Sequence, residues 1–164
     1  MGKNSLIQKA YLQAGLGINV SRVADVDPQA VFLPIFQIVG VVAVTSLTGI
    51  RTIVQAGGAS TMQFEHSVGP TVLDAGTLSI AADDVDTMYS LTGDPTDAIT
   101  KGLNGVPLFA GKTIALSLTY GSPYLFLAGP GTIDVTMTAA AGSGSTAYVL
   151  TYIPISDTGL VYAI

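Results

Sequence analysis

His66 is the chain's single histidine and Glu65 its single glutamate. Neighbours in a strand point to opposite faces, so these two cannot work together as an acid–base pair. A Ser–His–Asp triad would use His66 as base, but no G-x-S-x-G nucleophile elbow accompanies it. A zinc site would need this one imidazole and two or three carboxylates. The most acidic point is Asp83-Asp84-Val85-Asp86. Asp83, Asp84 and Asp86 could bind Ca²⁺ with backbone oxygens, yet the EF-hand spacing and its closing glutamate are absent. The plainer role for this run is a solvated loop that keeps a weakly charged protein soluble. The glycine-rich loops match no phosphate-binding motif, and Gly129-Pro-Gly131 precedes a strand rather than a helix. There is no cysteine, which removes disulfides and thiolate chemistry. No residue set commits the chain to catalysis. The expectation is a non-enzymatic protein with no cofactor, in which Asp83, Asp84 and Asp86 are the weak candidates for a metal.

The charges are few and unevenly placed. The 164 residues include 6 basic and 11 acidic side chains, 10% of the chain, with a net charge of -5. An ordinary domain carries roughly 25% charged residues. No Asp, Glu, Lys or Arg occurs from Pro28 through Ile50, from Thr113 through Ile133, or from Val135 through Ser156. A soluble monomer spreads charge along the strands it shows to water. Stretches without it imply a membrane or a surface covered by other protein. Pro34, Gln37, Gly40, Thr45, Ser46 and Gly49 interrupt the first stretch, and its β-branched centre favours strand over a spanning helix. Nucleic acid is excluded as a direct partner by the acidic balance and the scattered cations. Partners are therefore expected to be protein, with no nucleic acid and no membrane.

The elements divide into an arm, residues 1–29, and a β domain, residues 30–164. Leu6, Ile7, Ala10, Tyr11 and Ala14 recur at helical spacing behind an Asn4 or Ser5 cap, and Gly15 and Gly17 end the run. So short a helix is not stable alone and must dock, either on its own core or on a neighbour. Asn19–Gln29 reads as an irregular connector. Beyond it, strands are expected at Phe36–Thr45, Thr52–Ala56, Thr61–His66, Gly76–Ala81, Thr87–Leu91, Thr113–Tyr120, Tyr124–Leu127, Thr132–Thr138 and Ala147–Ile155. Ile133, Val135 and Met137 alternate with Asp134, Thr136 and Thr138, and Tyr148, Leu150 and Tyr152 with Val149, Thr151 and Ile153. Asp94-Pro95 opens and Gly102 closes what reads as one short helix in a loop. Ala141-Gly-Ser-Gly-Ser145 reads as a hairpin loop. Gly159–Ile164 either closes the sheet or reaches a neighbour. Many strands separated by turn residues give an antiparallel all-β sandwich. Its polar faces carry Thr and Ser in place of Lys and Glu, as suits strands half-covered in an assembly or the outer face of a secreted domain.

Four segments carry a family resemblance: Ile38-Val-Gly-Val-Val-Ala-Val44, Ser90-Leu-Thr-Gly93, and the closing pair Gly131-Thr-Ile-Asp-Val-Thr-Met137 and Tyr148-Val-Leu-Thr-Tyr-Ile-Pro-Ile155. From about Val39 onward the chain resembles small structural proteins of tailed bacteriophages, of the capsid decoration or cement type. The resemblance implies a jelly-roll-like β-sandwich, a homo-oligomer and in particular a trimer, bound across major capsid protein subunits on the virion surface after synthesis in the host cytoplasm. Under it the arm residues Lys3, Leu6, Ile7, Lys9, Tyr11 and Arg22 would contact the capsid. Phe32, Phe36, Tyr120, Tyr124, Tyr152 and Tyr162 are the candidates for subunit interfaces. A head-fibre, neck or tail component is the nearest alternative. A carbohydrate-binding sandwich is another, with tyrosines but no tryptophan for stacking. Removing Met1–Gln29 is expected to abolish shell binding in a co-sedimentation assay while circular dichroism still reports a folded β domain.

Overall fold

The computed structural model describes residues 17–26, 32–54, 60–68, 71–102, 125–138 and 144–164. These form twelve strands: β1 (Ile18–Val26), β2 (Phe32–Val39), β3 (Val42–Ile53), β4 (Thr61–His66), β5 (Thr71–Val72), β6 (Leu78–Ser79), β7 (Met88–Ser90), β8 (Thr100–Gly102), β9 (Phe126–Ala128), β10 (Gly131–Met137), β11 (Ser145–Pro154) and β12 (Leu160–Ala163). All pairings are antiparallel. One sheet runs β1-β11-β3-β7-β8, with β9 also on β3; the other runs β12-β2-β10-β4-β5, with β6 also on β4.

The sheets pack face to face because each has one apolar side. Phe36, Ile38, Met62, Phe64, Ile133 and Val135 of the second sheet share a core with Val42, Val44, Leu47, Tyr148, Leu150 and Tyr152 of the first. Phe64 and Tyr148 meet across it edge to face, with centroids 6.1 Å apart and planes at 88°, a geometry worth about 1 kcal/mol beyond its burial. The alternations expected in β10 and β11 are present. Tyr148, Leu150 and Tyr152 point inward, as do Ile133, Val135 and Met137.

Two bulges reset the inward phase elsewhere. Thr151 faces Ser46 and Tyr152 faces Val44, so Thr45 is the extra residue; its hydroxyl donates to the Thr151 carbonyl at 3.1 Å. Val42 and Val44 therefore point inward before it, and Leu47 and Arg51 after it. In β2, Ile133 faces Phe36 and Asp134 faces Pro34, which leaves Ile35 extra and buries Ile35 and Phe36 in succession.

Several expectations are corrected. Phe36–Thr45 is not one strand. It breaks at Gly40, where φ of +69° lets the chain leave the second sheet and enter the first. Thr52 and Ile53 finish β3 rather than begin a new strand. The supposed connector contains β1, which pairs with β11 from Ile18↔Tyr152 to Val26↔Ser145. The helix expected over Asp94–Gly102 is absent, and the described residues contain no helix. The Asp94 carboxylate accepts from the Thr96 amide at 2.8 Å and the Thr96 hydroxyl at 2.7 Å, closing a single turn that leads into β8. Sequence signals for a cap and for such a turn coincide because the same side-chain bond serves both. The glycine-rich loop ending at Ser145 joins strands of different sheets and is no hairpin. Gly159–Ile164 contributes β12, which extends the second sheet beside β2. The helical arm and the strand expected at Thr113–Tyr120 lie outside the described residues.

Gly40 is tightly enclosed. A Cβ there would sit 2.6 Å from the Ser156 and Thr158 hydroxyls and 2.7 Å from the Thr158 backbone. Gly40→Ala is expected to lower unfolding free energy by about 2 kcal/mol or more in urea titration, through strain at positive φ and backbone collision.

Candidate interaction surface

The described cations are Arg22, Arg51 and Lys101, and each is tied inside the chain. Arg51 ends the inward series of β3 with 0% exposure. Its Nε and Nη2 donate to the Tyr89 hydroxyl at 3.3 and 3.1 Å, and its guanidinium lies 5.6 Å from the Tyr89 ring centre. Tyr89 in turn donates to Asp83 Oδ2 at 2.8 Å. Burial, more than any other influence, pushes the Tyr89 phenol far above its ordinary range, so it stays a donor. Lys101 of β8 completes the chain at 2.9 Å from Asp83 Oδ1 and donates to the Ser79 carbonyl at 2.8 Å. Arg22, expected on a capsid-binding arm, lies on β1 with its Nε donating to the Ile164 carbonyl at 2.6 Å.

The acidic run is thus divided. Asp83 turns inward as a structural anchor, while Asp84 and Asp86 remain exposed. Among the described residues no three His, Asp or Glu side chains come together as a metal-ligand group. His66 is occupied too. Its Nε2 lies 3.2 Å from the Gly129 carbonyl, and Nδ1 accepts from the Val68 amide at 3.4 Å. Both ring nitrogens thus face backbone groups. Asp74, buried at the β4 edge, accepts from the Phe64 amide at 2.7 Å and the Gly76 amide at 2.6 Å. Its pKa is raised chiefly by burial, against the pull of those two bonds.

The interface candidates separate by exposure. Phe36 and Tyr152 belong to the protein's own core and present nothing to a neighbour, because the alternation that makes them apolar also turns them inward. Phe32 is 64% exposed, and Tyr162 is exposed as well. Register brings the exposed pair Val39 and Leu160 together on the outer side of β2 and β12, beside Gln37 and Tyr162. Ile164 continues that row and is exposed. Sequence reasoning missed Val39, Leu160 and Ile164; the alternation in Leu160–Ile164 was the available signal. Lys3, Leu6, Ile7, Lys9, Tyr11, Tyr120 and Tyr124 lie outside the described residues. Among the described residues no helix is long and apolar enough to cross a membrane. No protein-family model, curated protein or solved structure matches the chain.

The polar chemistry described above is spent holding loops to strands. Asp83→Ala leaves the buried Arg51 with Tyr89 but without the carboxylate behind it, and leaves Lys101 its bond to the Ser79 carbonyl without its ion pair. Chemical denaturation is expected to show a loss of about 3 kcal/mol, the range for removing one partner of a buried pair. Asp84→Ala, on the exposed side of the same run, is expected to change stability by less than about 0.5 kcal/mol.

Proposed function

We propose that this protein is a bacteriophage virion structural protein that decorates the capsid: it binds across major capsid subunits as an oligomer and stabilises the shell without catalysis. The observation that carries this reading is the outer side of β2 and β12. Phe32, Val39, Leu160, Tyr162 and Ile164 are large, apolar and exposed there, on a chain whose described cations are all engaged internally. Exposed apolar side chains grouped in this way mark contact surfaces more often than ordinary solvated ones. Such contacts gain roughly 25 cal/mol per Å² before the entropic cost of association. A symmetric oligomer, a trimer in this proposal, multiplies them through effective concentration.

The sandwich is proposed to be a jelly roll. Early strands change sheets at every step, β1 to β2 to β3 to β4, and the late strands β10, β11 and β12 do the same. Within the full orders β1-β11-β3-β7-β8 and β12-β2-β10-β4-β5, the runs β1-β11-β3-β7 and β2-β10-β4-β5 support that reading. Jelly rolls serve in viral shells and also in lectins, which keeps glycan binding as the contrasting outcome. A head-fibre, neck or tail position would use the same surface on a different partner.

The test is the mass of the full chain by light scattering, alone and mixed with emptied capsids of the virus that carries it. A trimer that co-sediments with shells is expected. Phe32→Ser with Tyr162→Ser should weaken that binding by about tenfold or more, as loss of aromatic contacts does, with the circular dichroism spectrum unchanged. A monomer that ignores shells and binds glycans would overturn the proposal. Because β1 is part of the sheet, the informative arm truncation ends before Ile18.

A further inference from the structure

On the side of the second sheet away from the core, β4 and β10 place oxygen-bearing side chains opposite one another in three successive rungs. Thr138 closes the ladder against Thr61, and their hydroxyls bond each other at 2.9 Å. Thr136 faces Gln63, and Asp134 faces Glu65. The first rung is satisfied internally. The other two are not. Gln63 turns away to donate to the Asp74 carbonyl at 2.9 Å, and the Thr136 hydroxyl oxygen is buried without a hydrogen-bond partner. Asp134 is only 6% exposed, and its Oδ1 is likewise buried without a partner. Pro34, its neighbour on β2, brings no amide hydrogen to the pair.

Like charges directly opposite on adjacent strands repel, and a buried carboxylate oxygen without a donor is costly. Asp74 adds to the local negative field: burial is the main cause of its raised pKa, but the Glu65 charge contributes. A cation would relieve all of this. We propose that Asp134, Glu65 and the Thr136 hydroxyl form a binding site for a hard divalent cation, Ca²⁺ or Mg²⁺, bridging β10 and β4. The donors are all oxygen, which favours these ions over zinc or copper. Two carboxylates and one hydroxyl leave the remaining positions to water, the pattern of a weak site with Kd on the order of 0.1–1 mM. The site is separate from the Asp83–Asp86 run and independent of the shell-binding reading, since it concerns the chain alone.

The experiment is thermal unfolding of the full chain in about 10 mM CaCl₂, in about 10 mM MgCl₂, and in EDTA with NaCl at matched ionic strength, a range set by that affinity. Ca²⁺ or Mg²⁺ is expected to raise Tm by ~5 °C over EDTA, as occupancy of a site present only in the folded chain requires. Which ion gives the larger rise identifies the preferred one. Asp134→Asn and Thr136→Val should each remove most of the rise, and Asp84→Asn should keep it. Thr136→Val leaves both carboxylates in place, so the test survives if Asp134→Asn fails to fold. No rise in the wild type over the NaCl reference, or a rise that persists in Thr136→Val, would each overturn the proposal.

Discussion

A guanidinium that cannot lose its charge is buried at the far end of β3, and much of the first sheet is arranged around it. Arg51 gives its hydrogens to Tyr89 of β7, and Tyr89 hands the polarity on to Asp83. The same residue's backbone holds the intervening loop: its amide donates to the Thr87 carbonyl at 2.8 Å, and its carbonyl accepts from the Asp86 amide at 2.9 Å. Ala82 and Asp86 take positive φ to make this possible. Lys101 of β8 then reaches back to Asp83. A loop, two short strands and the end of a long one are fixed by a single chain of polar contacts. Replacing that chain with apolar residues of equal volume could match its stability, yet would not specify where the loop lies.

How much of this was visible in the sequence depended on whether a strand obeys one period throughout. β4, β10 and β11 do, with one side on the core, and their polar and apolar residues alternate legibly. β2 and β3 do not, because the bulges at Ile35 and Thr45 shift the phase midway, and the run of apolar residues across Gly40 hides a passage between sheets. β1 lies at a sheet edge with Asn19 and Ser21 exposed and polar, so it resembles a connector. The Asp94 turn imitates a helix start because the same short-range bonds stabilise both.

The candidate surfaces were less legible still. Aromatic residues mark either core or interface, and only register decides between Phe36 and Phe32, or between Tyr152 and Tyr162. The acidic run drew attention to Asp83, which is a buried anchor. The unsatisfied carboxylate is Asp134, inconspicuous in sequence because its counterpart Glu65 is distant along the chain and adjacent only through strand pairing.

The alternation of strands between sheets has a kinetic consequence. β1 cannot pair until β11 exists, and Ile18 meets Tyr152 only across most of the chain. Successive strands such as β2 and β3 are not partners, so few hairpins form early to hold partial order. Folding rates fall as contacting residues lie farther apart in sequence. The chain therefore acquires its structure late and nearly all at once, after translation has delivered β11. Until then its apolar strands are exposed together, open to pairing with those of any identical copy nearby.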